Sequence, residues 1–374
     1  MRGRKKMKKA ISAILALCAV SALSARERWT EAQANQWYAN QPFYAGANFI
    51  PSNAINQIEM WSSDTFSPET IDRELGWAAN LGFNAMRVFL SDVVWAHEGE
   101  KLFANMEKYL QIADRHGIKT LFVFFDSCWN PESAYGKQPE PKLCKHNSGW
   151  VKSPSFKILN DKSQWGNLEK YVKAVITRFK DDGRIIGWDI YNEPGNVGYT
   201  VIDGSENANA EVFFNTRELL EKAFVWARAA NPSQPITSGE YVGDNHIVGK
   251  TFNKLQRDES DIISFHCYGN AKALDTVIKK LEKYNRPLFC TEYMARPAST
   301  FNPCLGIMKE HKVAAFNWGL VSGKTQTIYS WKFNKMDNPT PDKLKLWFHD
   351  VFFESGVPYS QDEADYIKKT MGKK

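Results

Sequence analysis

Two glutamates carry the most informative chemistry in this chain. Glu193 follows the apolar run Ile185–Tyr191 by one residue, and Glu292 closes the run that starts at Pro287. A charge set directly on the end of a buried strand is costly unless something compensates it. A pair of carboxyls is also what cleavage of the acetal between two sugars requires: one protonates the departing oxygen and the other attacks the anomeric carbon. For one isolated glutamate, a helix cap or an ion pair with Arg87 would be explanation enough. These two have company at matching places. Arg87 lies in another apolar run, Asn192 directly precedes Glu193, His266 and Tyr268 end a further run, and Trp318 ends the last.

Such residues converge only if one scaffold holds all the runs. Candidate strands are Tyr44–Phe49, Ala85–Leu90, Thr120–Phe125, Ile185–Tyr191, Pro235–Ser238, Ile262–Tyr268, Pro287–Glu292 and Ala314–Leu320. Amphipathic stretches separate them. This alternation predicts an α/β fold, a (β/α)8 TIM barrel in a single domain. Phe122-Val123-Phe124-Phe125 is apolar throughout, as suits a parallel strand buried on both faces. Ser67 is expected as an N-cap before Pro68, with the helix running to Leu81 and Gly82 ending it. Gly117 should end a helix over Leu102–His116 in the same way. Further helices are expected at Ser163–Lys180, Ala208–Ala230, Ala273–Lys283, Pro303–His311 and Pro341–Phe353, with weaker signal near Asn245–Leu255. Asp126 to Asn160 reads as one long loop, and a loop of that length is functional or mobile. Barrel enzymes place their catalytic groups at the C-terminal strand ends, and strands four and seven lie across the barrel from one another.

The order of these endings resembles the clan A glycoside hydrolases, most closely family 5, the cellulase family. Asn192-Glu193-Pro194 closes strand four, His266-Cys267-Tyr268 strand six, Glu292 strand seven and Trp318 strand eight. The resemblance covers roughly Tyr44 to Phe353. It implies that Glu193 is the general acid/base and Glu292 the nucleophile of a retaining β-glycoside hydrolase. It further implies that Asn192 binds the sugar 2-hydroxyl and that Tyr268 donates to Glu292. His266 would orient the acid/base or the sugar, Arg87 would hold Glu292 and lower its pKa, and Trp318 would floor the reacting subsite. The implied substrate is a β-linked oligo- or polysaccharide of glucan, mannan or xylan type. A transglycosylase would use the same residues with an acceptor sugar in place of water. A non-catalytic carbohydrate-binding barrel would need neither glutamate. Strand three departs from the family pattern: it ends in Asp126-Ser127-Cys128-Trp129, where many members have a histidine. Glu240 adds a third carboxylate near the rim. Asp126, Trp129 and Glu240 are accordingly read as substrate-side residues that bear on which sugar is taken.

Aromatic residues make up 13% of the chain, including 13 tryptophans, and sugar faces stack on such rings. Trp61, Trp95, Trp129, Trp150 and Tyr199 fall in expected loops, whereas Trp77, Trp188 and Trp226 are assigned to packing. Asp126, Asp244 and Glu240 fit no metal-ligand spacing, so neither a metal nor another cofactor is expected.

Residues 1–25 have the layout of a signal peptide. Arg2, Arg4, Lys5, Lys6, Lys8 and Lys9 precede an apolar run from Ala10 to Val20 that is too short to span a membrane. Cleavage after Ala22 or Ala25 would export residues 26–374 to the periplasm or beyond as a monomeric catalytic domain, with no stable membrane insertion. Leu17 is too bulky to favour a lipid anchor at Cys18. The six leader cations account for the whole formal charge of +6, so the remainder is neutral and gives no ground for nucleic-acid binding. Cys128 and Cys144 flank one loop and are compatible with either a disulfide or free thiols.

Overall fold

Eight short parallel strands alternate with helices along the chain. They are β1 (Ala45–Asn48), β2 (Ala85–Phe89), β3 (Lys119–Asp126), β4 (Ile185–Asn192), β5 (Ile236–Thr237), β6 (Ile263–His266), β7 (Leu288–Tyr293) and β8 (Ala314–Trp318). The computed structural model describes residues 25–196 and 206–373. The leader is therefore outside the described residues except for Ala25, and Tyr199 is outside them too. The strands form one sheet in the order β5-β4-β3-β2-β1-β8-β7-β6. Its two ends meet just past β5. There the Glu240 N–H donates to the Ser264 carbonyl at 3.1 Å and the His266 N–H to the Glu240 carbonyl at 2.8 Å. The eight strands lie where the apolar runs predicted them, and the barrel closes.

Local sequence explains the elements that hold this ring. Ile71, Leu75 and Ala78 are buried on one face of the helix Pro68–Leu81, and Gly82 ends it in the left-handed region at φ 93°. Ser67 differs from expectation. Its hydroxyl bonds Thr70 Oγ1 at 2.9 Å and makes no cap to the backbone, so Pro68 alone marks the start. The weaker helix near Asn245–Leu255 is present as Ile247–Glu259.

The helix expected over Pro341–Phe353 does not form. Only a single 3-10 turn, Pro341–Lys343, occurs there. The rest is drawn across the barrel mouth, where the Val351 and Phe352 N–H groups both donate to the Leu320 carbonyl at 2.9 Å. The outer-ring position after β8 is taken by Gln361–Met371, packed against Phe301–Glu310 and Pro68–Leu81. The segment Asp126–Asn160 folds back on the end of β3 through bridges of Asp126 with Ser153 and Asn130 with Val151. It buries Cys144, His146, Trp150 and Lys152. Among the described residues, no helix is long and apolar enough to cross a membrane.

Candidate active site

Arg87 is the hub beneath the barrel mouth. It stands on β2 and is fully buried, which a guanidinium tolerates only when its donors are matched. All five N–H groups find acceptors. Nε and Nη2 reach Asp189 Oδ2 at 3.0 and 2.8 Å, and Nη2 also reaches Asn192 Oδ1 at 2.7 Å. Nη1 serves Asn48 Oδ1 at 2.8 Å and Glu292 Oε1 at 2.9 Å. One side chain thus fixes groups from β1, β4 and β7. Tyr268 completes the cradle of Glu292, its hydroxyl donating to Oε2 at 2.8 Å.

Glu193 has a different surrounding. It follows β4 in a turn and holds φ at 44°, a left-handed conformation that costs a non-glycine residue about 1 kcal/mol or more. Gly195, at φ 82°, lets the turn pass Phe252: a Cβ there would lie 2.5 Å from the ring. The turn aims Glu193 inward. Its Oε2 accepts from Asn196 Nδ2 at 2.7 Å and the Cys128 thiol at 3.2 Å, and its Oε1 faces His266 Nδ1 at 2.8 Å. Lys152 closes the far side by donating to the carbonyls of Ser127 and Asn196.

Glu193, His266 and Glu292 each bring one ligand-type atom into a group whose members lie within 4.8 Å of one another. Burial pushes the Glu193 carboxyl up from its ordinary range. It also pushes Glu292 up, to about 7, and repulsion from Glu193 adds to this against the pull of Arg87 and Tyr268. The lowering of Glu292 expected from Arg87 is therefore outweighed. Asp189, the other partner of Arg87, is buried and raised as well. Burial lowers His266 to about 4, so at neutral pH it is an uncharged imidazole rather than a cation. One guanidinium against Asp189 and Glu292 already leaves a net negative charge. A second carboxylate charge beside these is opposed, and of the two glutamates Glu292 is the one bonded to Arg87. Two buried carboxyls, both raised above their ordinary range, thus face each other across the site.

Above this pair lies a cleft of about 1140 Å³ lined by Trp129, Asn192, Glu193, His266, Tyr268, Glu292 and Trp318, among others. Arg87 lies beneath them. Asp126 is buried below the floor, accepting from Asn192 Nδ2 at 2.9 Å and Trp150 Nε1 at 2.6 Å, so it orients Asn192 and does not line the cleft. Glu240 is also turned away: it binds Arg257 Nη2 at 2.6 Å, on the same guanidinium that holds Asp244 at 2.7 Å. Trp61 is a core residue donating to the Phe89 carbonyl, Trp95 packs on Tyr171, and Trp150 is buried. Of the expected loop tryptophans, only Trp129 reaches the cleft. The five described cysteines are free.

Several site residues escaped the sequence reading. Asp189 had a signal, being a charge inside an apolar strand that must find a partner. Asn196, three residues past Glu193, had a weaker one. His146, Trp331 and His349 line the cleft because two long loops bring them there, and no local pattern marks them.

The cellulase profile of glycosyl hydrolase family 5 matches residues 44–333, a span that contains all eight strands. A mannan endo-1,4-β-mannosidase F from Aspergillus clavatus is 23% identical over 136 residues, which is 36% of this chain and 26% of the fungal protein. The chain thus matches about a quarter of that relative's length. Among solved structures, a GH5_18 protein from Streptomyces cattleya in complex with Manβ1-4GlcNAc superposes with a TM-score of 0.57 at 11% identity, covering 88% of this chain and 80% of that one. The exo-β-1,4-mannosidase of Opitutaceae bacterium strain TAV5 gives 0.57 at 15% identity over 93% and 61%. The endo-1,4-β-mannanase of Rhizomucor miehei gives 0.55 at 16% over 90% and 96%. At such identities these structures speak for the shared barrel, and the profile match for membership: the chain belongs to glycosyl hydrolase family 5, the cellulase family.

Proposed function

We propose that this protein hydrolyses a β-linked glycan of glucan, mannan or xylan type with retention of configuration, using Glu292 as nucleophile and Glu193 as general acid/base. The observation that carries this is the approach of the two carboxyls, with an oxygen of each within 4.8 Å. It fits the ~5–5.5 Å of retaining enzymes and is too close for the water that inverting enzymes seat across ~6.5–9.5 Å. In the first step Glu292 bonds to the anomeric carbon while the glycosidic oxygen leaves, taking the proton of Glu193. In the second, Glu193 takes a proton from water, whose oxygen bonds the same carbon and displaces Glu292. In this reading Asn192, held by Arg87 and Asp126, meets the 2-hydroxyl, and Trp318, which lines the cleft, gives the sugar an apolar face; the fixed amide and the position of the ring support both roles.

The roles separate on mutation. Glu292→Ala should abolish turnover of every substrate, and azide should restore it with an inverted product. Glu193→Ala should spare the first step on aryl glycosides with very good leaving groups, and azide should then speed the second step with retained configuration. The reverse pattern would swap the roles. A loss under roughly tenfold in both variants, about 1.4 kcal/mol of barrier, would make the glutamates structural.

We also propose that residues 1–25 are a cleaved leader and that residues 26–374 act outside the cytoplasm as one monomeric catalytic domain. The basic start and short apolar core support this.

A further inference from the structure

We propose that the cleft is single-ended, so that the enzyme is exo-acting and takes only the non-reducing end of its β-linked chain. This rests on the hydrolase reading above and on Glu193 as the acid. A general acid must reach the oxygen it protonates, so the leaving part of the substrate lies on the Glu193 side. That side is lined by Gly195, Asn196, Phe213, Tyr241, Val242 and Ile247, from the segments after β4 and β5. The rest of the chain's non-reducing side must lie the other way, beyond Trp318.

That direction is built shut. The loop after β3 and the long segment after β8 meet across the mouth, although β2 and β1 stand between their strands. The Asn147 N–H donates to the Thr325 carbonyl at 2.8 Å, and the Cys144 N–H to Gln326 Oε1 at 2.9 Å. The His146 N–H donates to Asn334 Oδ1 at 2.8 Å, and Asn334 Nδ2 returns a bond to the His146 carbonyl at 3.0 Å. Lys145 Nζ reaches the carbonyls of Phe333 and Asn334, each at 3.1 Å. A joint with this many backbone partners is a fixed wall and not a loose flap.

The inner face of the wall is a continuous row of rings. Trp129 and His146 have centroids 5.2 Å apart, His146 and His349 5.4 Å, His349 and Tyr268 5.6 Å, and Tyr268 and Trp331 5.2 Å. Tyr268 itself touches Glu292, so the row begins at the reacting centre. Behind Trp318, the space bounded by Asn48, Phe89, Asn147 and Trp150 measures about 10 Å³. That is room for about one water molecule and no sugar ring.

The test uses the full chain on tetrasaccharides of β-1,4-linked mannose, glucose and xylose, labelled at the reducing end. Each is supplied free and with a bulky ether on the terminal 4-hydroxyl, beside the three aryl monoglycosides. We expect a free monosaccharide and a labelled trisaccharide as first products from the accepted sugar. The capped chain should be cleaved at least ~100-fold more slowly, about 2.7 kcal/mol of barrier. Cleavage of an aryl monoglycoside without internal cleavage of any chain also supports the proposal. Early labelled mono- or disaccharide, or capped and free chains cleaved at equal rates, overturns it while leaving the hydrolase reading intact if Glu292→Ala is inactive. Absence of cleavage in every substrate overturns both.

Discussion

Replacing Arg87 by lysine keeps a positive charge but removes the fork that holds the site together. The native guanidinium spends five N–H groups on Asp189, Asn48, Glu292 and Asn192, all buried. An ammonium has three donors on a shorter reach. Three donors cannot serve the four acceptor atoms, so at least one is left unmet, and at ~1–3 kcal/mol for a buried group the variant should lose at least that much stability. Activity should fall further than folding explains. Glu292 loses the hydrogen bond from the guanidinium and stands farther from the cation, so its already raised pKa rises again, and the two glutamates titrate as a pair. Since the nucleophile must be ionised, the acid limb of kcat/KM should move to higher pH. Denaturant unfolding gives the first quantity. The pH profile on an accepted aryl glycoside gives the second, with Asp92→Asn as a control that disturbs a buried carboxyl away from the cleft. A stability change under about 0.5 kcal/mol, a value usual for surface substitutions, together with an unmoved acid limb would refute the hub argument.

Glu74 offers a pH test remote from the cleft. It is fully buried and accepts from the Ser52 N–H and hydroxyl, and burial pushes its carboxyl up to about 7. With the folded value above the unfolded one, its contribution is intact below the unfolded value, is lost as pH rises, and has gone above about 7. Glu74→Gln lacks that loss and should gain up to ~3 kcal/mol on the wild type between pH 4 and pH 8, following ~1.4 kcal/mol per pKa unit. Equal unfolding free energies of the two proteins at both pH values would show that Glu74 titrates normally. For the reaction, NMR of the first-formed product from a β-glycoside should show the β-anomer. Initial α-anomer would establish inversion and remove the covalent step. Mass spectrometry of protein from its native host should find an N-terminus near Leu23 or Arg26. An intact Met1 on the mature protein would rule the leader out.

Much of this molecule was legible one strand at a time. Apolar runs buried on both faces announce themselves, because each residue reports its own environment. Glu193 and Glu292 were visible for the same reason, as charges standing where a strand had just ended. Asp189 was equally visible in principle, since a buried charge within Ile185–Asn192 demands a partner. The segment Pro341–Phe353 misled because its apolar residues are spaced as in a helix, yet Leu344 packs with Cys144, Tyr329 and Phe333, Val351 and Phe352 enter the main core, and the N–H groups of the last two go to the Leu320 carbonyl. Tertiary contacts there override a local preference that is weak.

The sequence alone determined the barrel, the order of its strand ends and the pair of carboxyls facing each other over it, since periodicity and burial act within a few residues. Only the tertiary structure decided which rim residues take part. Glu240 is spent on Arg257, Asp126 lies beneath Asn192, and Trp61 and Trp150 are packed away, whereas His146, Trp331 and His349 line the cleft. It also decided the charge state, raising Glu292 against the pull of Arg87 because desolvation depends on everything around a group and not on its nearest partner alone. The same holds for the wall between the β3 and β8 loops. Its hydrogen bonds join residues about 180 positions apart, a separation across which no sequence pattern carries information.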